Sequence, residues 1–573
     1  MFDIRTSELL RAAPSLPELD AQQIPQMLTR HYAELVSARL KGEDDTSSDQ
    51  ETWSLDRIAD AYEIVASIEE DPELRRAAAF VAGTAQQIIA RRSTGPAEAG
   101  YTTPISRDGV DPTVSAAVLF LGAEQYADAY EAGASLARSR APYEIRILGD
   151  HIRDLVQGRL TSILDRANRW RIDAPITGTI QTRALRSLAS ALVEGIERLA
   201  ASLMSVAVPE ATPGRFATAQ DAFRKVIELC SNAEPGDEEI LGGNLRTAYA
   251  GPAHLASMLL SAADAINQAA LTKLPPPDGA DASFWQRWLT FRAEDAPYVW
   301  RNHREAIGQG FYQTGNSAVL VLPTGAGKTT ISVLKIAATL ARGRKVIFLA
   351  PTHALVEQLT DDLQKMFPAD KFGLEVSSDY DSLLLEDAQL QDIEVMTPER
   401  CLAMLSYSPA SFQKVGLLVF DECHLLSAES GKIGRALDGM LCLLAFSAAV
   451  LDADMLFLSA MLKNGPEFSG WIEKLTGRHC LAVDLLWKPS RQARGVVTYE
   501  ENEIVQGLTK AKAVQRAKNA QEKKIAKGLR AAAEREIVAQ PYVVWGSNII
   551  GQNQQPLMHS QAFRTAPFNW GVA

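Results

Sequence analysis

The chain has 573 residues, a mass of 62.4 kDa and a net charge of −12; this is more than one hydrophobic core usually holds, so two or three domains are expected. Apolar residues make up 46% and charged residues 22%, a globular balance that argues against a disordered or fibrous protein. Five scattered cysteines (Cys230, Cys401, Cys423, Cys442, Cys480) show no CxxC spacing, which excludes a disulfide framework and the common zinc patterns and fits a reducing compartment.

The longest apolar stretch, Met440–Leu451, stops at Asp452, and Asp3, Arg5 and Glu8 stand where a secretion signal needs an apolar core. A cytoplasmic protein with no membrane partner is expected. Charge is unevenly spread: residues 1–300 carry 42 acidic and 29 basic side chains, residues 301–573 carry 28 and 29. Overall acidity therefore does not exclude a polyanionic partner for the second half, and the two halves are expected to have different roles.

The first 270 or so residues read as helices. Apolar residues recur at three- and four-residue spacing, as in Leu155, Leu160, Ile163 and Leu164, or Leu185, Leu188, Leu192 and Ile196. Residues 42–51 and 93–104 are polar breaks of loop composition. An all-helical accessory domain over 1–273 is predicted. In residues 274–283 (LPPPDGADAS) three consecutive prolines remove backbone donors and end the helical pattern, so 274–294 reads as a linker. The acidic balance of residues 1–270 makes a protein surface the expected contact there.

After Ser317 short β-rich runs alternate with helical stretches: 317–322, 345–350, 392–396, 415–420 and 454–458. This is the pattern of a parallel sheet covered on both faces, an α/β domain over 295–500. Strand ends in such a sheet deliver loops to one edge, where ligands bind. Immediately after the first run comes PTGAGKTT: Pro323, Thr324, Gly325, Ala326, Gly327, Lys328, Thr329 and Thr330. Its glycines let backbone N–H groups turn inward as an anion nest at a helix N-terminus. Lys328 can then reach β- and γ-phosphates, and the Thr329 hydroxyl can coordinate magnesium. Leu322 stands where the strict GxxxxGK[ST] pattern has its first glycine. The run 417–420 leads into Asp421-Glu422-Cys423-His424. Asp421 is expected to hold the magnesium shell, and Glu422 to activate the attacking water.

The combination of PTGAGKT, DECH and Ser459-Ala460-Met461 resembles motifs I, II and III of superfamily 2 DEAD/DEAH-box helicases. Ala350-Pro351-Thr352 with Leu355 and Gln358 resembles motif Ia, and Thr397-Pro398-Glu399-Arg400 resembles motif Ib. The resemblance implies a RecA-like P-loop domain using ATP and Mg2+, with Lys328, Asp421, Glu422 and His424 as catalytic residues. It assigns Thr352, Gln358, Thr397 and Arg400 to contact with one strand of DNA or RNA, and Ser459, Ala460 and Met461 to coupling. Residues 300–307 (WRNHREAI) resemble the segment where many relatives place an adenine-reading Gln, with His303 at that position. His303 is either a base contact or a structural histidine.

Nothing after Gly495 resembles motif VI of the family's second RecA-like domain, which carries the transition-state arginines. The chain is therefore expected to be a fragment, or to work with a partner protein supplying that domain; alone it is expected to hydrolyse ATP slowly and not to unwind duplexes. Residues 501–573 read as a basic helix and a segment cut short. Residues 510–536 carry nine basic side chains against three glutamates, either a helix along phosphates or a solvated connector. The expected function is an ATP-dependent nucleic-acid motor. An ATP-driven switch or assembly module, and a P-loop enzyme acting on a small substrate, are the other two readings.

Overall fold

The computed structural model describes residues 23–41, 53–93, 103–136, 141–167, 169–170, 178–207, 216–233, 245–247, 249–323, 325–378, 390–426, 433–460, 462, 464–484, 492–498, 501–519, 540–547 and 556–559. These divide into two compact units, one within residues 53–490 and one combining residues 15–52 with 491–573.

The first unit begins with helices α1 (Leu55–Ile68), α2 (Pro72–Ser93), α3 (Pro112–Gly122), α4 (Tyr126–Ala134), α5 (Tyr143–Val156), α6 (Leu160–Ala167), α7 (Ile180–Met204), α8 (Ala219–Cys230) and α9 (Ala250–Gln268). Their starts follow local chemistry: Ser54, Asp111 and Thr179 each accept a first-turn N–H, and Pro112 follows Asp111 at the position that needs no donor. Leu188, Leu192, Ile196, Leu199 and Leu203 bury one stripe of α7, as the spacing predicted. Leu155 and Leu160, by contrast, sit on separate helices, because Gly158 turns the chain with φ 72°. The region is also not purely helical: Ser231–Ala233 and Leu245–Thr247 pair antiparallel.

The proline-rich stretch is strapped to its surroundings. Trp285 Nε1 donates to Leu274 O at 3.1 Å, Tyr312 Oη to Pro275 O at 2.8 Å, and Asp281 N to Ala341 O at 2.7 Å. Helix α10 (Ala282–Ala293) follows, capped by Asp281. Its buried Trp288 stacks on Phe367 with centroids 5.6 Å apart and donates Nε1 to Met366 O at 3.2 Å. Such large aromatic faces with a satisfied N–H are strong anchors.

Helix α11 (Arg301–Gly308) then leads into the sheet. The strands are β1 (Ser317–Val321), β2 (Lys345–Leu349), β3 (Val376–Ser377), β4 (Ile393–Met396), β5 (Val415–Phe420), β6 (Asp454–Ser459) and β7 (Cys480–Asp484). They form one parallel seven-stranded sheet in the order β3-β4-β2-β5-β6-β1-β7. Helices α12 (Lys328–Leu340), α13 (His353–Met366), α14 (Pro398–Tyr407), α15 (Ile433–Ala449) and α16 (Gly465–Thr476) alternate with the strands. All five expected runs are strands; β3 and β7 add the two edges. Residues of β5 and β6 are buried throughout, which is why these strands read as continuous apolar runs.

At the N-terminal edge of this sheet Asp454 is buried among Lys335, Arg342 and Arg478 at 3.9, 4.0 and 2.6 Å. Lys335 Nζ also donates to Phe311 O at 3.0 Å and Asn316 O at 2.5 Å. Burial draws this ammonium down to about 8, so it stays protonated at neutral pH. Lys335→Met removes the donor from buried carbonyls and is expected to destabilise the unit by about 3 kcal/mol, read as a lower urea midpoint with an unchanged slope.

The second unit contains helix Ile24–Lys41, helix Glu501–Asn519 and the strands Gln492–Thr498, Gln540–Ser547 and Pro556–His559, which form an antiparallel sheet in chain order. The helix covers the first part of the basic stretch, and Val514 and Ala517 on it are buried; residues 520–536 lie outside the described residues. Among the described residues no helix is long and apolar enough to cross a membrane.

Candidate active site

Strand β1 ends at Val321, and the turn after it carries Gly325 with φ 81° and Gly327 with φ 78°. Both lie in the left-handed region that side chains disfavour, so the two glycines permit a turn that β-carbons would strain. Ala326 N donates to Pro323 O at 3.0 Å, closing the turn. Gly327 is the N-cap of α12, so Lys328, Thr329 and Thr330 occupy its first turn, where free N–H groups and the helix dipole favour an anion. Thr329 and Thr330 are exposed; Thr324 lies outside the described residues.

In the sheet, β6 lies between β1 and β5. The loops leaving these three strands therefore meet at one edge. Lys328 Nζ donates to Glu422 Oε1 at 3.0 Å. Glu422 Oε2 lies 3.2 Å from His424 Nδ1, which in turn lies 3.5 Å from Ser459 Oγ at the end of β6. Residues from three separated motifs thus form one polar chain. Ala460 is half-buried beside it, and Met461 lies outside the described residues.

Asp421 N donates to Leu349 O at 3.0 Å, and Asp421 Oδ1 accepts from Glu422 N at 2.9 Å. Glu422 has φ 50°, a left-handed conformation that costs a side-chain-bearing residue about 1–2 kcal/mol. Burial, then the Glu422 charge, raises the Asp421 carboxyl above the usual carboxylate range. Two adjacent carboxylates with one partly desolvated are relieved by a cation. Among the described residues no group of three or more His, Cys, Asp or Glu could hold a metal. One carboxylate with a hydroxyl suits magnesium, which keeps waters and takes phosphate oxygens as further ligands. Asp421 and Thr329 fit that donor set. Burial pushes the Cys423 thiol up to about 12, so it is an inert neighbour.

His303 is placed differently from a base reader. It is buried behind the P-loop, with Nε2 3.1 Å from Ala326 O, and burial lowers it to about 4. Asn302 and Trp300, which match no motif, share that position: Asn302 Nδ2 donates to the same Ala326 O at 3.1 Å, and Trp300 stacks on His303. Their sequence signal is weak, an aromatic and an amide just ahead of a histidine at the start of a short helix.

On the neighbouring strand ends, Thr352 caps α13 after β2 and Thr397 caps α14 after β4, each hydroxyl accepting an N–H at 3.4 Å. These adjacent helix N-termini face the same sheet edge as the P-loop. Gln358 is exposed on α13. Arg400 is not available in the same way: it is buried, 3.7 Å from Glu394 and donating to Ser378 O at 2.9 Å. The buried Glu394 carboxylate needs a counter-charge, and the Arg400 guanidinium supplies it.

The DEAD/DEAH box helicase family matches residues 301–467. The chain is similar to the ATP-dependent DNA helicase Hel308 of Thermoplasma acidophilum, 29% identical over 178 residues, which is 30% of this chain and 25% of that protein. It is similar to the Hachiman protein HamB of Bacillus cereus, 25% identical over 247 residues, 41% of this chain and 21% of that one. The chain thus spans a quarter or less of the length of these two relatives. Among solved structures, the DUF1998 helicase MrfA bound to DNA and AMPPNP aligns at 21% identity with a TM-score of 0.27, covering 37% of this chain and 30% of that chain.

Proposed function

We propose that residues 301–467, which match the DEAD/DEAH box helicase family, act as the ATP-hydrolysing half of a superfamily 2 nucleic-acid helicase or translocase. The observation that carries this reading is the polar chain Lys328–Glu422–His424–Ser459, which joins the P-loop to the DECH turn and to the end of β6. In it Lys328 rests on a carboxylate that stands in for a phosphate oxygen. On nucleotide binding Lys328 exchanges Glu422 for the β/γ-phosphates, and Glu422 is released to accept a proton from the attacking water. Asp421 and Thr329 would hold magnesium, which neutralises charge developing on the phosphates when bound. His424 carries the state of Glu422 to Ser459.

The capped N-termini of α13 and α14, with exposed Gln358, suit the phosphates of one nucleic-acid strand; Thr352 and Thr397 position these ends. Arg400 supports that face from inside. A second RecA-like domain, in cis or from a partner protein, would close the cleft and supply arginines worth about a thousandfold or more in rate.

ATP turnover of the purified chain, measured with and without single-stranded DNA or RNA, tests the reading. A slow basal rate, raised about tenfold or more by nucleic acid, is expected from coupling of the two faces. Turnover indifferent to both nucleic acids would replace the motor with an ATP-driven switch.

A further inference from the structure

Helix α11 is held from two sides, by Asn302 and His303 on one and by Arg301 and Arg304 on the other. Asn302 Nδ2 and His303 Nε2 converge on one acceptor, Ala326 O, each at 3.1 Å. Asn302 Oδ1 accepts the His303 N–H at 2.9 Å, so the amide orientation is determined and Nδ2 faces the P-loop. Since Ala326 O can only accept, Nε2 carries the imidazole proton, and burial keeps the ring neutral. Trp300 and His303 fill the space behind Gly327, where a β-carbon would lie 2.7 Å from each ring. On the other side, Arg301 Nη1 donates to Glu73 Oε2 of α2 at 2.7 Å. Arg304 pairs with Glu124, the left-handed residue just after α3, whose buried carboxylate also meets Arg76 of α2 at 3.4 Å.

We propose that α11 is a positioning strut through which the N-terminal helices set the geometry of the P-loop, and with it the affinity for a nucleoside triphosphate, Asn302 and His303 being the positioning residues. The inference rests on the nucleotide-binding reading of the P-loop. Its physical basis is the peptide plane. In a trans peptide the C=O and N–H point in opposite directions. Two donors drawing Ala326 O toward α11 therefore aim Gly327 N–H away from α11, into the nest. A P-loop N–H misdirected by a fraction of an ångström loses much of its contact with phosphate. Because Arg301 and Arg304 seat the same one-piece helix on Glu73 and Glu124, a shift of α2 or α3 moves Asn302 and His303 together.

The test uses the full chain, Mg2+ and a fluorescent non-hydrolysable ATP analogue, reading Kd, the melting temperature without nucleotide and the shift that nucleotide produces. Asn302→Asp turns the donor into an acceptor facing Ala326 O and is expected to raise Kd about tenfold or more. His303→Leu is expected to act in the same direction, and His303→Gln, which keeps a donor, to recover affinity to within about threefold. The double variant Arg301→Gln/Arg304→Gln changes side chains that bond to Glu73 and Glu124 and leaves Asn302 and His303 in place. It is expected to raise Kd about three- to tenfold; the nucleotide-free melting temperature is expected to fall as well, because the buried Glu124 carboxylate then keeps only Arg76 as a counter-charge. A double-variant Kd within about twofold of the wild type overturns the strut, whatever the melting temperature does. Lys328→Ala is the non-binding reference: wild-type affinity no better than that variant's removes the nucleotide reading, and the strut with it.

Discussion

Lys328→Ala is expected to weaken nucleotide binding about a hundredfold and to leave turnover about a thousandfold below the wild type, the scale on which removal of one preorganised electrostatic contact acts. The side chain sits in the first turn of α12, one residue after the left-handed Gly327, and its ammonium already lies 3.0 Å from a carboxylate oxygen at the mouth of the site. Alanine is a good helix former, so α12 should persist. The folded state should not suffer either, because the Lys328–Glu422 pair is partly exposed and such pairs contribute little. Calorimetric titration with Mg·ATP, together with steady-state turnover on protein of unchanged circular dichroism, checks both numbers. Wild-type affinity and rate in that variant would remove the site from residues 323–330.

Glu422→Gln is expected to separate binding from chemistry. An amide is too weak a base to take a proton from water, so turnover should fall about a hundred- to ten-thousandfold. Binding should persist and tighten about two- to fivefold, because Lys328 no longer has to leave a charged partner to meet phosphate. The left-handed turn is retained, since its bond from Glu422 N to Asp421 Oδ1 uses only backbone on the Glu422 side. Single-turnover kinetics and equilibrium titration on the same preparation provide the two readouts. Lost binding with the fold intact would instead make Glu422 a ligand of the nucleotide–metal complex.

The two expectations draw on different amounts of tertiary information. Lys328 could be named from eight consecutive residues, because strand, glycine turn and helix N-terminus form one continuous local unit and every feature that makes an anion nest lies within it. Asp421 and Glu422 were legible for the same reason: an apolar run that ends in two carboxylates places them at a strand end. The linkage of Lys328 to Glu422 and onward to His424 and Ser459 had no local signature. It follows from β6 lying between β1 and β5, a strand order set by how the crossovers pack.

Two polar residues show the limit most clearly. His303 and Arg400 look alike in a linear reading: polar groups beside motifs, available for a base or a phosphate. Folding buries both, and each is committed to a neighbour distant in the chain or hidden on the adjoining strand: Ala326 O for His303, and Glu394 with Ser378 O for Arg400. A sequence records which donors and charges a segment carries, but not the desolvation that forces them to find partners. The proline-rich stretch behaves in the same way. Its composition opposes a helix, and residues 274–281 form none, yet the aromatic side chains of Trp285 and Tyr312 hold it down through Leu274 O and Pro275 O.

Periodicity and motif spacing were thus sufficient for the helical region, the parallel sheet and the glycine turn that opens α12, since each arises from contacts within one to three turns of chain or within one strand–turn–helix unit. Packing alone settled which charges remain available to a ligand, how the three strand ends share one polar chain, and that α11 joins the P-loop to Glu73 and Glu124. Those outcomes depend on groups some 20 to 180 residues apart being brought wholly or partly out of water together. The free energy of that shared burial belongs to the assembled surroundings and to no single segment.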